Sequence, residues 1–371
     1  GIYYQLIDDA ARMQAGHATI EHPGYRAAPA VDLWIKNTGR LRRSLERVPD
    51  VELTKLLVLG QGVARSGRGS VGVAVMGVEP SVEARTSLLA KHVVEGEYLA
   101  DSDEALVVIG SKLARQLRVE VGKKLVLTAN DADGLLVEEL FRVKGIFETG
   151  TDVLDGYVLQ APFHFVARFY SLPEDSATQL GIVIRDAHNQ ERAFKNIEKA
   201  LEGERVSVYP WQEIMPDLAA YIKVDKSTNI VMQSILMVLI LFTIFNTILM
   251  SVLEREREFG VLQAIGSSPG LLRRQVVVES ALIGLLGCGI GTALGWAVSH
   301  YFEVVGIDIS KLLEKGAEVS GFAISPIIRP LATYDVLAWP FCLVLVATVL
   351  LSLISIGRIR DDRLADTLRH G

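Results

Sequence analysis

The chain changes character near residue 226. Before that point, apolar residues come in short runs divided by polar, glycine and charged positions; after it, three long runs are almost wholly apolar, at about 230–252, 276–300 and 337–356. At about 1.5 Å per residue, some 20 apolar residues cross a hydrocarbon core of roughly 30 Å. The pattern predicts an α+β domain over 1–225, followed by an α-helical membrane domain over 226–371 with three spans. Within the first domain, the spacing predicts a short strand over 18–20 and a helix over 31–48 with Leu33, Ile35, Leu41 and Leu45 as its apolar positions. Strands follow over 51–64 and 70–78, joined by the turn Ser66-Gly67-Arg68-Gly69. A strand over 105–109, a helix over 111–117, a turn at Gly122 and strands over 124–128, 135–146 and 156–159 come next. An amphipathic helix over 189–202, a strand over 205–209 and a helix over 211–226 lead into the first span. Short strands mixed with helices point to an α+β architecture.

Charge assigns the sides of the membrane. Arg255, Arg257, Arg273 and Arg274 lie between the first two spans, and Arg358, Arg360, Arg363 and Arg369 follow the last, whereas the loop 303–335 is poorer in basic residues. Positive loops stay in the cytoplasm, so 253–275 and the tail are expected inside, with 1–225 and 303–335 outside. A large external domain needs a means of export. No signal peptide is visible, and a further span before residue 1 is therefore expected, with an inverted topology as the alternative.

Composition narrows the chemistry. The chain has 371 residues, half of them hydrophobic, and a formal net charge of −6. No long basic run interleaved with aromatics is present, so nucleic acid is not an expected partner. Cys288 and Cys342 both fall in apolar spans, which excludes a disulfide framework and suggests small apolar fillers. Gly122-Lys123-Lys124 lacks the upstream Gly and following Ser/Thr of a phosphate-binding loop, and Gly60-x-Gly62-x-x-Arg65 ends in Arg where a dinucleotide site has Gly. No ATP or other cofactor is expected on this chain, and no metal site. The seven histidines form no HxH or HExxH pair; His17 and His22 read as surface or loop residues. No GxSxG elbow or paired buried carboxylates appear, so catalytic residues are not expected.

The most suggestive stretch follows the first span directly: Glu254, Arg255, Glu256, Arg257, Glu258, then Phe259, Gly260, Val261, Leu262 and Ile265, closed by Gly266. As one helix over 254–266, Glu254 and Glu258 share a face, Arg257 stands at i+3 from Glu254, and Phe259, Leu262 and Ile265 form an apolar edge. This is either a solvated helix flanking the membrane or a coupling helix that docks an aqueous partner. In the second span, Gly287, Gly291 and Gly295 recur every fourth residue, a strip that admits a close helix. Asn246 within the first span calls for an interhelical hydrogen bond. Glu279, near the start of the second span, reads as a satisfied interfacial acid or as a partner for Arg273 or Arg274.

The stretch Val252-Leu253-Glu254-Arg255-x-Arg257-Glu258-Phe259-Gly260-Val261-Leu262-x-Ala264-Ile265-Gly266, with Asn246–Ser251 before it, resembles the signature of the FtsX/MacB/Lol superfamily of ABC-transporter permeases, and within it the lipoprotein-releasing (Lol) branch. The run from Gly96, Tyr98 and Leu99 through Gly110 to Gly122, and Val143-x-Gly145-Ile146-Phe147-x-Thr149-Gly150, resemble the external domain of the same permeases. The resemblance implies four spans, the first before a segment like 1–25, and an inserted subdomain at roughly 86–155. It implies a permease subunit of a Gram-negative inner membrane working by mechanotransmission, with ATP and Mg held by separate ATPase subunits docked at Glu254–Gly266. It further implies a second permease chain as homodimer or heterodimer, a lipoprotein or amphiphile cargo, and a periplasmic carrier. Met232, Ile235, Leu236 and Leu239, on the outer half of the first span, would meet an acyl chain from the membrane lipid. Two alternatives stay open: a MacB-like exporter of peptides or small amphiphiles, and an FtsX-like regulator of a cell-wall hydrolase. The end departs from the family pattern. Ser355-Ile356-Gly357-Arg358 stands where a Pro usually precedes the basic tail, although Asp366-Thr367-Leu368-Arg369 resembles the closing motif.

Overall fold

The computed structural model describes residues 2–186, 189–308, 318–319, 322–323, 327–328, 330 and 334–357. The basic tail from Arg358, the closing motif 366–369, His188, His370 and most of the loop 303–335 lie outside the described residues. The chain divides into two compact units.

The external unit is built on a ten-stranded sheet. The 15-residue strand Val51–Arg65 organises it. Along one edge it pairs antiparallel with Ser70–Val78 for most of its length. Along the other, its first half pairs with Gln179–Ile184 and its last residues with Lys124–Asn130. Ser70–Val78 continues through Val158–Pro162, Leu106–Gly110 and Leu136–Phe147 to Lys124–Asn130. Six strands thus return to their start, and closure leaves no unpaired edge among them. Alternate residues fill one side of this ring: Val73 and Val75, Val107 and Ile109, Leu125 and Leu127, Phe141 and Val143. Three of the closing strands come from 86–155, so this stretch completes the sheet of its flanks. Beyond the ring, Gln179–Ile184, Ala18–Glu21 and Ser207–Pro210 extend the sheet antiparallel. The helix Ile2–Met13 covers the opposite side of the central strands, its Leu6, Ile7 and Ala10 packing with Leu57, Val78, Trp211 and Leu218.

The helix Ser111–Leu117, the hairpin 51–78 and the helix Gln190–Ala200 lie where the sequence places them. Four features differ. The stretch 31–48 is a short strand, Ile35–Lys36, then a helix, Thr38–Leu45; Asn37 between them adopts left-handed backbone, which a continuous helix does not allow. The stretch 156–159 begins as the end of a helix, Asp152–Tyr157, because the Asp155 carboxylate accepts from the backbone N–H groups of Thr149 and Gly150. The strand Gln179–Ile184 is unforeseen: it is buried throughout and shows no alternation. His17 is buried rather than on the surface, its Nε2 standing 3.3 Å from Asp8. The tight approach at Gly16 explains this burial. Gly16 has φ +92°, and a Cβ there would lie 2.4 Å from the Ile182 carbonyl oxygen.

Among the described residues, three helices are long and apolar enough to cross a membrane. Pro216–Glu254 has 39 residues, about 58 Å at 1.5 Å per residue. Its first turns are polar at Asp217, Lys223, Asp225 and Lys226, and its apolar part begins at Ile230. The second helix is Pro269–Val305 and the third Tyr334–Gly357. These two pack closely at Gly284, where a Cβ would meet Thr348 Cγ2 at 3.2 Å.

Candidate functional site

The first span does not run straight into the charged helix. Pro216–Glu254 ends at Glu254, Arg255 leaves helical geometry at φ −96°, ψ 6°, and a separate helix, Glu256–Ala264, follows. Its first turn carries Glu256 and Glu258, which suits the positive end of the helix dipole. It stops at Gly266, whose φ of +106° only glycine adopts readily, and the Ser267 N–H returns to the Leu262 carbonyl. Ser268 then caps the next helix by accepting from the Leu271 N–H, with Pro269 at the first helical position.

The break sets the pairing. Helical spacing does not carry across Arg255, so Glu254 and Glu258 sit on different helices, and the expected Glu254–Arg257 pair is replaced by one centred on Arg255. Its Nη1 donates to both carboxylate oxygens of Glu279, at 2.9 and 2.8 Å, and its Nε to Glu258 at 3.3 Å. Glu279 is therefore partnered by Arg255 rather than Arg273 or Arg274. The guanidinium also lies 5.9 Å from the ring centre of Phe259. Phe259, only 4% exposed, packs with Val252, Leu272 and Val276. A single arginine thus joins the junction, the charged helix and the second span, while Phe259 anchors the same helix from below. What remains outward is an apolar edge of Val261, Leu262 and Ile265, beside the exposed Glu254, Arg257 and Glu258; Ile265 is 78% exposed. Gly260 lies between these faces and is half-buried.

The glycine strip is open in this chain. Among the described residues, a Cβ at Gly287, Gly291 or Gly295 would meet nothing within 4 Å, and the close contact belongs to Gly284 instead. Asn246 is exposed. Met232, Ile235, Leu236 and Leu239 are exposed on the first span, and the groove of about 460 Å³ among the three helices begins past them, at Thr243. The Thr243, Thr247 and Thr348 hydroxyls of this groove donate to carbonyls of their own helices, and Arg255 and Glu279 line its other end. No group of His, Cys, Asp and Glu suited to a metal occurs among the described residues. The Arg255–Glu279 pair is not legible in the sequence because its partners are 24 residues apart, one at the junction between two helices and one on the second span; the signal available is an acid at the start of a span.

Comparison with known proteins follows the two units. The family described as MacB-like periplasmic core domain matches residues 4–200, more than half of the chain, and the FtsX-like permease C-terminal family matches 230–362. The ABC transporter permease YtrF of Bacillus subtilis is 51% identical over 57 residues, 15% of this chain and 13% of that protein. The lipoprotein-releasing system transmembrane protein LolC of Xylella fastidiosa is 23% identical over 319 residues, 82% of this chain and 73% of that one. Among solved structures, the periplasmic region of MacB from Actinobacillus actinomycetemcomitans aligns over 57% of this chain and 97% of its own, with TM-score 0.40 and 13% identity.

Proposed function

Because the chain belongs to the FtsX/MacB/Lol superfamily of ABC-transporter permeases, we propose that it is the membrane subunit through which a separate ABC ATPase, holding ATP and Mg, drives release of a lipoprotein from the outer face of the inner membrane. The observation that carries the reading is the Arg255 junction: a helix fixed to the second span by Glu279 and Phe259 presents Val261, Leu262 and Ile265 to solvent. An apolar edge with flanking charges suits a groove on a partner, the edge giving affinity and the charges register. ATP-driven closure would move this helix, and the uninterrupted helix Pro216–Glu254 would carry the motion outward. A second permease chain, identical or related, would pack on Gly287, Gly291, Gly295 and Asn246. Cargo would enter beside Met232, Ile235, Leu236 and Leu239, where acyl chains would gain about 0.8 kcal/mol per CH₂ buried. The match of 4–200 to the MacB-like core domain supports a second reading, export of a peptide or small amphiphile.

Glu258→Lys tests the docking surface. The variant is expected to remain in the membrane but to co-purify with severalfold less ATPase and to lose cargo-stimulated ATP turnover. Wild-type association and turnover would remove the charged helix from the mechanism. Photo-crosslinking from Met232 and Leu236 separates the cargo readings: adducts to a lipoprotein that vanish on ATP addition are expected, and adducts to phospholipid alone would exclude this segment. Gly291→Leu tests the glycine strip. A Cβ there meets nothing within 4 Å among the described residues, so the change is expected to weaken assembly of the complex without lowering the melting temperature of the isolated subunit; unchanged assembly would place the strip against lipid.

A further inference from the structure

The external unit contains a cavity of about 980 Å³ that the proposed coupling mechanism does not use. Its size is at the upper end of small-ligand sites, about 300–1,000 Å³. The floor crosses four neighbouring strands, Gln179–Ile184, Val51–Arg65, Ser70–Val78 and Val158–Pro162. Three steps of about 4.8 Å make this a trough about 14 Å long. Register puts Leu59 opposite Met76, Gln61 opposite Ala74 and Ala74 opposite Val158, so one face of these strands looks into it. Leu59, Ala74 and Met76 are half-buried there and offer hydrocarbon that a ligand can touch. Val31, Leu154 and Ile214, also half-buried, stand at its sides. The irregular loop 22–34 adds the exposed Pro29 and Ala30 to the lining. That loop is held at its start by the buried Tyr25 and by Arg26, which donates to the Glu213 carbonyl.

The charged groups buried in the wall already have partners. Glu21 accepts from Gln179 Nε2 at 2.6 Å and meets the Arg26 guanidinium at 3.3 Å. Asp131 accepts from the Ser171 hydroxyl at 2.8 Å and from the Asp133 and Leu135 N–H groups at 3.0 and 2.9 Å. The other two carboxylates of the lining, Asp32 and Asp133, are exposed and keep their water. Arg26 is the one cationic residue among the described lining residues, so an anionic head drawn inside would meet carboxylates and no free cation. Any charged head would lose water there without gaining a buried partner. What the trough leaves for a ligand is its apolar surface, which gains by being covered. An elongated apolar floor between self-contained polar walls has the shape and chemistry of a hydrocarbon chain.

We propose that this trough holds one acyl chain, laid across the strands on Leu59, Ala74 and Met76, with the head of the same molecule left outside in water. Membrane phospholipid and a lipopeptide both carry such a chain, and the test separates them. The site rests on the cavity's own chemistry, so its failure would leave ATPase docking and the lipoprotein reading untouched. The full chain in phosphatidylcholine nanodiscs is irradiated with a diazirine-bearing acyl chain, carried either by the disc phospholipid or by a synthetic lipopeptide, and adducts are mapped by peptide mass spectrometry. Saturable adducts on 57–61, 74–76 and 154–158 are expected from at least one carrier, which thereby identifies the source. They should exceed those on the exposed Leu135, Leu136 and Leu140, which lie outside the cavity, and should fall when excess dodecanol is added. Adducts on 230–239 report labelling within the membrane and should not change between variants. Leu59→Trp fills the floor and should cut cavity adducts about tenfold, since each methylene displaced is worth about fourfold in affinity. Cavity labelling absent from both carriers, no higher than at the exposed leucines, or unchanged in Leu59→Trp would overturn the proposal. Where Leu59→Trp fails to fold, competition in the unchanged chain decides the matter, because adducts that dodecanol does not displace would overturn it equally.

Discussion

Lys55→Met is expected to destabilise the external unit by about 3–5 kcal/mol, the cost of leaving a buried charge without its partner. Lys55 and Glu83 are each 1% exposed, and Lys55 Nζ stands 3.6 Å from Glu83 Oε2 while donating to the Arg12 carbonyl at 2.8 Å. Burial pushes the Lys55 ammonium down and the Glu83 carboxyl up, each opposed by the charge of the other. Removing Lys55 takes away the largest influence opposing burial at Glu83 and leaves only hydrogen bonds from Ser87 and Gln160, so the carboxyl is driven to take up a proton or draw in water. The double variant Lys55→Met, Glu83→Leu removes both charges and should recover most of the loss. Urea unfolding of the four proteins, followed by the fluorescence of Trp211 in the same core, measures the coupling. Additive effects of the two single changes would show that the pair does not interact.

Arg255→Glu is expected to leave the subunit in the membrane and to reduce cargo-driven ATP turnover by at least about tenfold, equivalent to about 1.4 kcal/mol. The substitution turns a tie among three elements into repulsion, since Glu258 and Glu279 would both face a third carboxylate. Arg255 and Glu279 are each more than a third exposed, so the stability change should be small, within about 1 kcal/mol for an exposed pair. The functional loss should exceed the thermal one, because the pair orients the helix proposed to dock the ATPase more than it holds the fold. The swap Arg255→Glu with Glu279→Arg restores the attraction and should recover turnover in part. Equal loss in the swap would mean that Arg255 acts on the ATPase directly.

The placement of these residues shows where sequence reasoning reaches. The three spans were legible because crossing hydrocarbon is a local demand: a segment must be long, uncharged and helical, whatever its neighbours do. Gly266 was legible as a stop because its φ is a property of one residue, and Ser111–Leu117 because its apolar spacing is complete within two turns. Asn37 shows the limit. A single left-handed residue divided a stretch whose apolar spacing reads as one helix, and Asp175, far along the chain, holds it by accepting from Thr38 and Gly39.

By itself the sequence determined the α+β and α-helical characters of the two parts and the charged run with its Gly266 stop after the first span, since periodicity, charge and turn chemistry act over a few residues; the division between the units falls at Ile222–Lys223, inside the helix Pro216–Glu254. The tertiary structure alone decided the closure of six strands into a ring, the burial of Gln179–Ile184 and His17, and the choice of Arg255 as the partner of Glu279. Each of these depends on which distant segments meet, and a side chain's spacing along its own element carries no record of the residue that packs against it from another.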